Sequence, residues 1–275
     1  MKKNDVVLGT VIYPGALLWR EEFISSVNKQ SYKDFEVLII NDGVEEWVLK
    51  EIQDSICHKV LIESASKGTT PIENRRILLR KAKELGYEIL VLADFDDAFS
   101  EDRINKIMKG YDQNFAFYYH NIKYGDEKVL FKELPRTVNS ISSIMQANFL
   151  GMSNTAINID CIEYEWIESL QELATGVFDW YLFSRLVLSG GSGKLIDGNM
   201  TFYRLHDNNI AGIAQGSRSD LEQEVFVKLE HYSKLKNICE KYEILFEKYK
   251  NIDVTEWENT TNAHGYWWGF INLEV

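Results

Sequence analysis

The feature that most constrains this chain is an alternation along its N-terminal part, where short apolar, β-branched runs take turns with segments whose apolar residues recur every three or four positions. Residues 6–12 form one such run, closed by Tyr13-Pro14-Gly15, and the helical segment after it carries Leu17, Ile24 and Val27 on one side. Residues 36–41 are nearly all apolar, as a strand covered on both faces must be, and stop at Asp42-Gly43. A helix over 45–56 with Val48, Ile52 and Ile56 and a short strand over 59–62 come next. Thr70-Pro71-Ile72-Glu73 supplies an N-cap, a proline at the first helical position and a glutamate three residues after the cap, so a helix starts there and runs to Leu85, with Gly86 as its stop. Another apolar strand, 88–93, ends in Asp94-Phe95-Asp96-Asp97. Strands alternating with helices imply right-handed crossovers and a mostly parallel sheet flanked by helices, an α/β fold.

Further along, a helix is expected over 102–111 and an aromatic strand over 115–119. The pattern is less regular over 121–175, where short strands over 128–132 and 155–159 and a helix over 140–147 are expected. A firm amphipathic helix follows over 178–188, then one or two long helices rich in Lys and Glu over 220–249. The tail carries Trp257, Tyr266, Trp267, Trp268 and Phe270, which are expected either to fold back onto those helices and complete a small core or to form an acceptor-side platform or a self-association surface. Two regions are therefore expected, 1–215 as the α/β domain and 216–275 as a helical, aromatic C-terminal appendage.

The net charge of -12 argues against nucleic acid or an anionic lipid surface as a general electrostatic partner. An anionic substrate would need a metal or a few local cations. Cys57, Cys161 and Cys239 stand far apart, fitting neither a disulfide framework nor a zinc site, and read as reduced, mostly buried thiols of a cytoplasmic protein. Lys2 and Lys3 precede an apolar stretch, but Asp5 interrupts it and no small-residue cleavage site follows, so a strand rather than a leader is expected.

In an open α/β sheet, ligands bind beyond the carboxyl ends of the strands. Three such ends are polar here: Thr10 to Pro14, Asn41-Asp42-Gly43 and the Asp94 cluster. Neither a Gly-x-Gly-x-x-Gly nor a Gly-x-x-x-x-Gly-Lys motif is present, so phosphates would need another partner. Asp94, Asp96 and Asp97 supply one: clustered carboxylates repel, and hard divalent cations such as Mn²⁺ or Mg²⁺ relieve that repulsion while gripping a diphosphate. The competing reading is a solvated acidic turn or a helix cap.

Residues 6–43, with Ser26-Val27-Asn28-Lys29-Gln30-Ser31-Tyr32-Lys33-Asp34-Phe35-Glu36 and the Ile40-Asn41-Asp42-Gly43 end, resemble the opening of family 2 glycosyltransferases. The resemblance extends over about residues 5–212 and implies a GT-A nucleotide-diphospho-sugar transferase fold. It places the Asp94 cluster where the family has its Asp-x-Asp metal and diphosphate motif. Phe178-Asp179-Trp180-Tyr181-Leu182-Phe183-Ser184-Arg185-Leu186 is similar to the segment that carries the general base of inverting members, which by position is Asp179; Glu172 is a weaker alternative. Tyr203-Arg204-Leu205-His206 resembles a segment whose histidine lies near the diphosphate, which is His206 here. Departures are equally specific. Thr10 is kept but the tyrosine that usually follows it is lost. Asn41 replaces an aspartate, which admits a base other than uracil. Ile72-Glu73-Asn74-Arg75-Arg76 shifts the register of the basic residue, leaving Arg75 or Arg76 to reach the nucleotide.

Taken together these imply a metal-dependent, inverting transferase that moves a sugar from a nucleotide-diphosphate sugar donor to a hydroxyl of a glycan or lipid-linked acceptor in bacterial surface-polysaccharide synthesis. The cytoplasm or the inner face of the membrane is the expected place, with no nucleic-acid partner. A nucleotidyltransferase, or a GT-A-like binding domain without catalysis, is the alternative.

Overall fold

The computed structural model describes residues 5–205 and 215–275. In chain order the elements that matter here are β1 (Val6–Ile12), α1 (Arg20–Asn28), β2 (Glu36–Asn41), α2 (Glu46–Ser55), β3 (Val60–Ser64), α3 (Pro71–Glu84), β4 (Ile89–Leu92), β5 (Ala98–Phe99), α4 (Arg103–Gly110), β6 (Phe117–Tyr124) and β7 (Lys128–Val129). Then come β8 (Thr137–Val138), β9 (Thr155–Asn158), α5 (Tyr164–Glu168), α6 (Phe178–Leu188), β10 (Gly193–Tyr203), α7 (Arg218–Leu235) and α8 (Glu240–Tyr249). The chain forms two compact units. The first takes the described residues of Met1–Val129, Met152–Leu170 and Gly193–Arg204, and the second those of Leu130–Gly151, Gln171–Ser192 and Leu205–Val275.

The first unit is built on a twisted sheet in the order β3-β2-β1-β4-β9-β6-β10-β5. β1 runs parallel to both β2 and β4, β2 parallel to β3 and β6 parallel to β10, while β9 is antiparallel to β4 and β6. The mostly parallel sheet is thus as expected. β2 and β4 are apolar along their length because helices cover both faces. On one face Phe23 and Val27 of α1 pack with Leu8, Ile12 and Ile39 in one core. On the other, a side chain at Gly9 would meet Leu90 Cδ1 of the neighbouring β4 at 2.5 Å and Leu78 Cδ1 of α3 at 2.9 Å, which explains the glycine inside a strand. α3 begins as expected, with the Thr70 hydroxyl accepting the Glu73 N–H at 3.0 Å. These packed strands hold their carboxyl ends, and the loops that leave them, in fixed positions.

Two elements of the irregular region differ from expectation. No helix spans 140–147; a single 3₁₀ turn, Ile141–Ser143, stands there, capped by the Ser140 hydroxyl. Serines at 140, 142 and 143 offer the backbone local hydrogen bonds that compete with a helix. The strand over 128–132 shrinks to β7, which pairs with the end of β6 after a turn holding Gly125 and Glu127 at positive φ.

The second unit packs the wholly buried Trp180, Tyr181, Leu182 and Phe183 of α6 among other apolar side chains, and its α7 and α8 are the long helices expected. The aromatic tail does fold back. Trp267 exchanges both backbone hydrogen bonds with Asn148, at 2.8 and 2.9 Å. The Glu224 carboxylate of α7 accepts the N–H groups of Phe270 and Ile271 at 3.0 and 2.8 Å, and pairs at 2.8 Å with a fully buried Lys228. The expectation of mostly buried thiols fails, because Cys57 and Cys161 are exposed and Cys239 is half-buried.

Candidate active site

β4 ends at Leu92, and the loop that follows is tied down from the core. Phe95 is buried and stacks on Phe23 with ring centroids 4.4 Å apart, so its neighbours Asp94 and Asp96 are left half-exposed. Arg103 of α4 is wholly buried and donates to the carbonyl of Leu92 at 2.6 Å and to His120 Nε2 at 3.1 Å. Burial lowers its pKa to about 9 against the pull of Asp97 and Asp94. One residue thereby anchors the strand end and sets a cation behind the carboxylates.

The three carboxylates have different surroundings. Asp94 receives Arg75 Nη2 at 3.3 Å on Oδ1 and the Ser153 hydroxyl at 3.3 Å on Oδ2, and its own N–H donates to Ser153 Oγ at 2.8 Å. Burial raises its pKa, Arg75 opposes the shift and Asp96 adds to it. Asp97 is buried; its Oδ1 accepts the Arg204 N–H at 2.9 Å, and its Oδ2 has no hydrogen-bond partner. Burial, then Asp96 and Asp94, push its pKa well above the ordinary value. Arg204 also donates from Nε to the Asp96 carbonyl at 3.0 Å, pairs with Glu22 and lies 5.7 Å from the centre of the Trp19 ring. The phenol of Tyr13, just past β1, has its pKa raised to about 12 by burial and then by Asp96 and Asp94.

Among the described residues, no three His, Cys, Asp or Glu side chains are disposed to hold a metal by themselves. Mg²⁺-type cations need only one or two protein carboxylates and complete their shell with water and substrate phosphates. Asp94 and Asp96 at a strand end are such a donor pair. The unpartnered Oδ2 of Asp97 and the Asp94–Asp96 repulsion both favour a nearby cation. The residues present therefore fit the metal, with Asp97 turned to the Arg204 backbone.

The other expected site residues divide. Arg75 reaches Asp94, whereas Arg76 is drawn away into a network with Glu73 at 2.5 Å and Glu168 at 3.1 Å, joined by Arg80. Asp42 is half-exposed at the end of β2. Asn41 is buried and spends both amide atoms on Val44, accepting its N–H at 2.8 Å and donating to its carbonyl at 3.1 Å, so it shapes the turn. Thr10 is fully buried inside β1, its hydroxyl without a hydrogen-bond partner. His206 lies outside the described residues. Asp179 belongs to the second unit, half-exposed in the first turn of α6 between buried Phe178 and Trp180, with Oδ1 accepting the Trp180 N–H at 2.6 Å. The structure adds Tyr13, Ser153 and Arg204 to the candidate set. Their sequence signals were a tyrosine three residues beyond Thr10, nothing for Ser153, and the Tyr203-Arg204 pair beside His206.

The family model described as glycosyl transferase family 2 matches residues 20–173, more than half of the chain. The chain belongs to glycosyl transferase family 2. No curated protein matches this transferase in sequence. Solved structures do match its fold. TarS 1-349 of S. aureus in complex with UDP-GlcNAc is 12% identical with a TM-score of 0.65, over 90% of this chain and 71% of that one. The mannosyltransferase PcManGT from Pyrobaculum calidifontis in complex with GDP-Man and Mn²⁺ is 13% identical with a TM-score of 0.55, over 85% and 64%. GalNAc-T7 with UDP, GalNAc and Mn²⁺ is 12% identical with a TM-score of 0.58, over 92% and 53%. At identities this low the structural matches show a shared GT-A fold and nothing finer. No helix among the transferase's described residues is long and apolar enough to cross a membrane.

Proposed function

We propose that this glycosyltransferase moves a sugar from a nucleotide-diphosphate sugar to a hydroxyl of a glycan or lipid-linked acceptor, with inversion, in bacterial surface-polysaccharide synthesis at the cytoplasmic side of the membrane. The observation that carries this reading is the half-exposed Asp94–Asp96 pair at the end of β4, with Arg75 at 3.3 Å and the Tyr13 phenol in its field. Neighbours of the same fold bind UDP-GlcNAc, or GDP-Man with Mn²⁺, which supports a nucleotide-sugar and a divalent cation here. Family membership favours sugar transfer over nucleotidyl transfer.

Asp94 and Asp96 would hold Mn²⁺ or Mg²⁺, which supplies charge neutralisation to the leaving diphosphate. Arg75 adds a fixed positive charge beside the same carboxylate. Arg204, Asp97 and Ser153 keep the loop in register, and Asp42 at the end of β2 faces the nucleoside. Asp179 takes the proton from the acceptor hydroxyl as its oxygen bonds to the anomeric carbon and the bond from that carbon to the diphosphate oxygen breaks. A single displacement inverts the anomeric centre, and the proton ends on Asp179.

The test is release of UDP or GDP from a panel of nucleotide-sugars with Mn²⁺ and with EDTA, read alongside product anomeric configuration. Turnover of at least one donor with Mn²⁺, lost in EDTA, is expected; equal turnover in EDTA would remove the metal from the account.

A further inference from the structure

The first turn of α6 lacks a cap of its own. Val177, at the N-cap position, makes no side-chain cap hydrogen bond, and the residues before it form a loop. That loop is held from far along the chain. Glu230 of α7 accepts the Ala174 N–H on Oε1 at 2.6 Å and the Thr175 N–H on Oε2 at 2.8 Å, so both carboxylate oxygens grip consecutive backbone amides. The next residue, His231, lies flat against Trp180, with centroids 4.0 Å apart and planes 15° apart. The indole N–H of Trp180 donates to the Ile144 carbonyl at 2.6 Å, and Val177, Trp180, Val227 and Trp268 pack as one cluster. His231 is buried, with Nε2 at 3.4 Å from the Ser184 hydroxyl. Two adjacent residues of α7 thus fix the backbone just before α6 and the ring just after Asp179.

We propose that Glu230 and His231 are positioning residues for Asp179. They set where its carboxylate stands through the loop over 174–177 and the Trp180 ring, and neither touches substrate. This rests on the reading of Asp179 as the general base. It gives α7, which lies beyond the family-matched residues 20–173, a part in the reaction. Two parallel carboxylate–amide bonds define an orientation as well as a distance, which is what holding a base in line with an attacking hydroxyl requires.

The test is a double-mutant cycle on the full chain, measuring kcat and KM for release of nucleoside diphosphate from whichever of UDP-GlcNAc and GDP-mannose the wild type turns over faster. Glu230→Gln keeps the size but sets an amide NH₂ against one of the two N–H donors; it should lower kcat by about 10- to 100-fold, with donor KM within about twofold. In an Asp179→Asn background the same substitution should cost nothing further, because it acts only through that carboxylate. His231→Phe keeps the stacked ring and should restore near-wild-type kcat, whereas His231→Ala should resemble Glu230→Gln. If Glu230→Gln does not fold, the two His231 variants decide alone. Unchanged kcat in Glu230→Gln and His231→Ala, or losses that add to Asp179→Asn, would overturn the proposal. Full activity of Asp179→Asn would instead overturn the assignment of the base.

Discussion

The two units satisfy their backbones in opposite ways. In the first, strand ladders pair the N–H and C=O groups, so side chains at the strand ends are spared for other contacts. In the second, irregular backbone is held by side chains. Glu224 takes the Phe270 and Ile271 amides, Glu230 takes those of Ala174 and Thr175, and Gln146 both donates to and accepts from Leu273 at 2.7 Å. The half-exposed side chains beside the strand ends of the first unit, Arg75 and Asp96 among them, can therefore be exchanged with chemical consequences and modest structural ones, whereas the carboxylates of the second that hold backbone amides carry structure.

The largest expected effect probes the one proposed catalytic group in the second unit. Asp179→Asn should lower transfer by about 10² to 10⁴ while nucleotide affinity stays within a few fold, read by initial rates and calorimetry. Glu224→Ala should then break the buried pair with Lys228 and release two backbone amides, costing about 3–5 kcal/mol by denaturant unfolding. Arg75→Met, in the first unit, should leave the melting temperature nearly unchanged and weaken UDP or GDP binding with Mn²⁺ by roughly tenfold, the loss of one partly exposed charge. A Glu224 variant as stable as the wild type, or an Arg75 variant that unfolds, would erase the contrast between the units.

A further expected effect is a pH dependence. Burial, and then Lys228, hold His231 at a pKa of about 3, against an ordinary 6.5. The unfolded chain binds that proton first, so the stability His231 contributes is complete above about pH 6.5 and declines as the pH falls towards 3, by about 2 kcal/mol at pH 5. His120 in the first unit has the same shift and the same sign. His231→Phe should remove about half of the combined loss in unfolding titrations between pH 7 and 5.

What the sequence disclosed follows the same division. β1, β2 and α6 stand at the residues their patterns indicated, and the cap at Thr70 is in place, because period and capping are local properties. The Asp94–Asp97 loop was legible as a strand end. Its partners were not: Ser153 arrives from an irregular segment 59 residues away, and the choice between Arg75 and Arg76 depends on Glu168, 92 residues from Arg76. Asn41 looks like a ligand group in a motif, yet both its amide atoms close the Val44 turn, a pairing that its sequence position does not show. The second unit draws on three separated segments, so periodicity within any one of them could not show which amides Glu230 or Glu224 would find.

The central claim is that Asp94 and Asp96 join a divalent cation to a nucleoside diphosphate. Titration calorimetry of UDP and GDP into the wild type and Asp96→Ala, each with Mn²⁺ and with EDTA, tests it most directly. The wild type should bind at least one of them with Mn²⁺ and lose on the order of 10²-fold or more in EDTA, and Asp96→Ala should show the weak affinity under both conditions while keeping the wild-type melting temperature. Metal-dependent binding of equal strength in Asp96→Ala would contradict it.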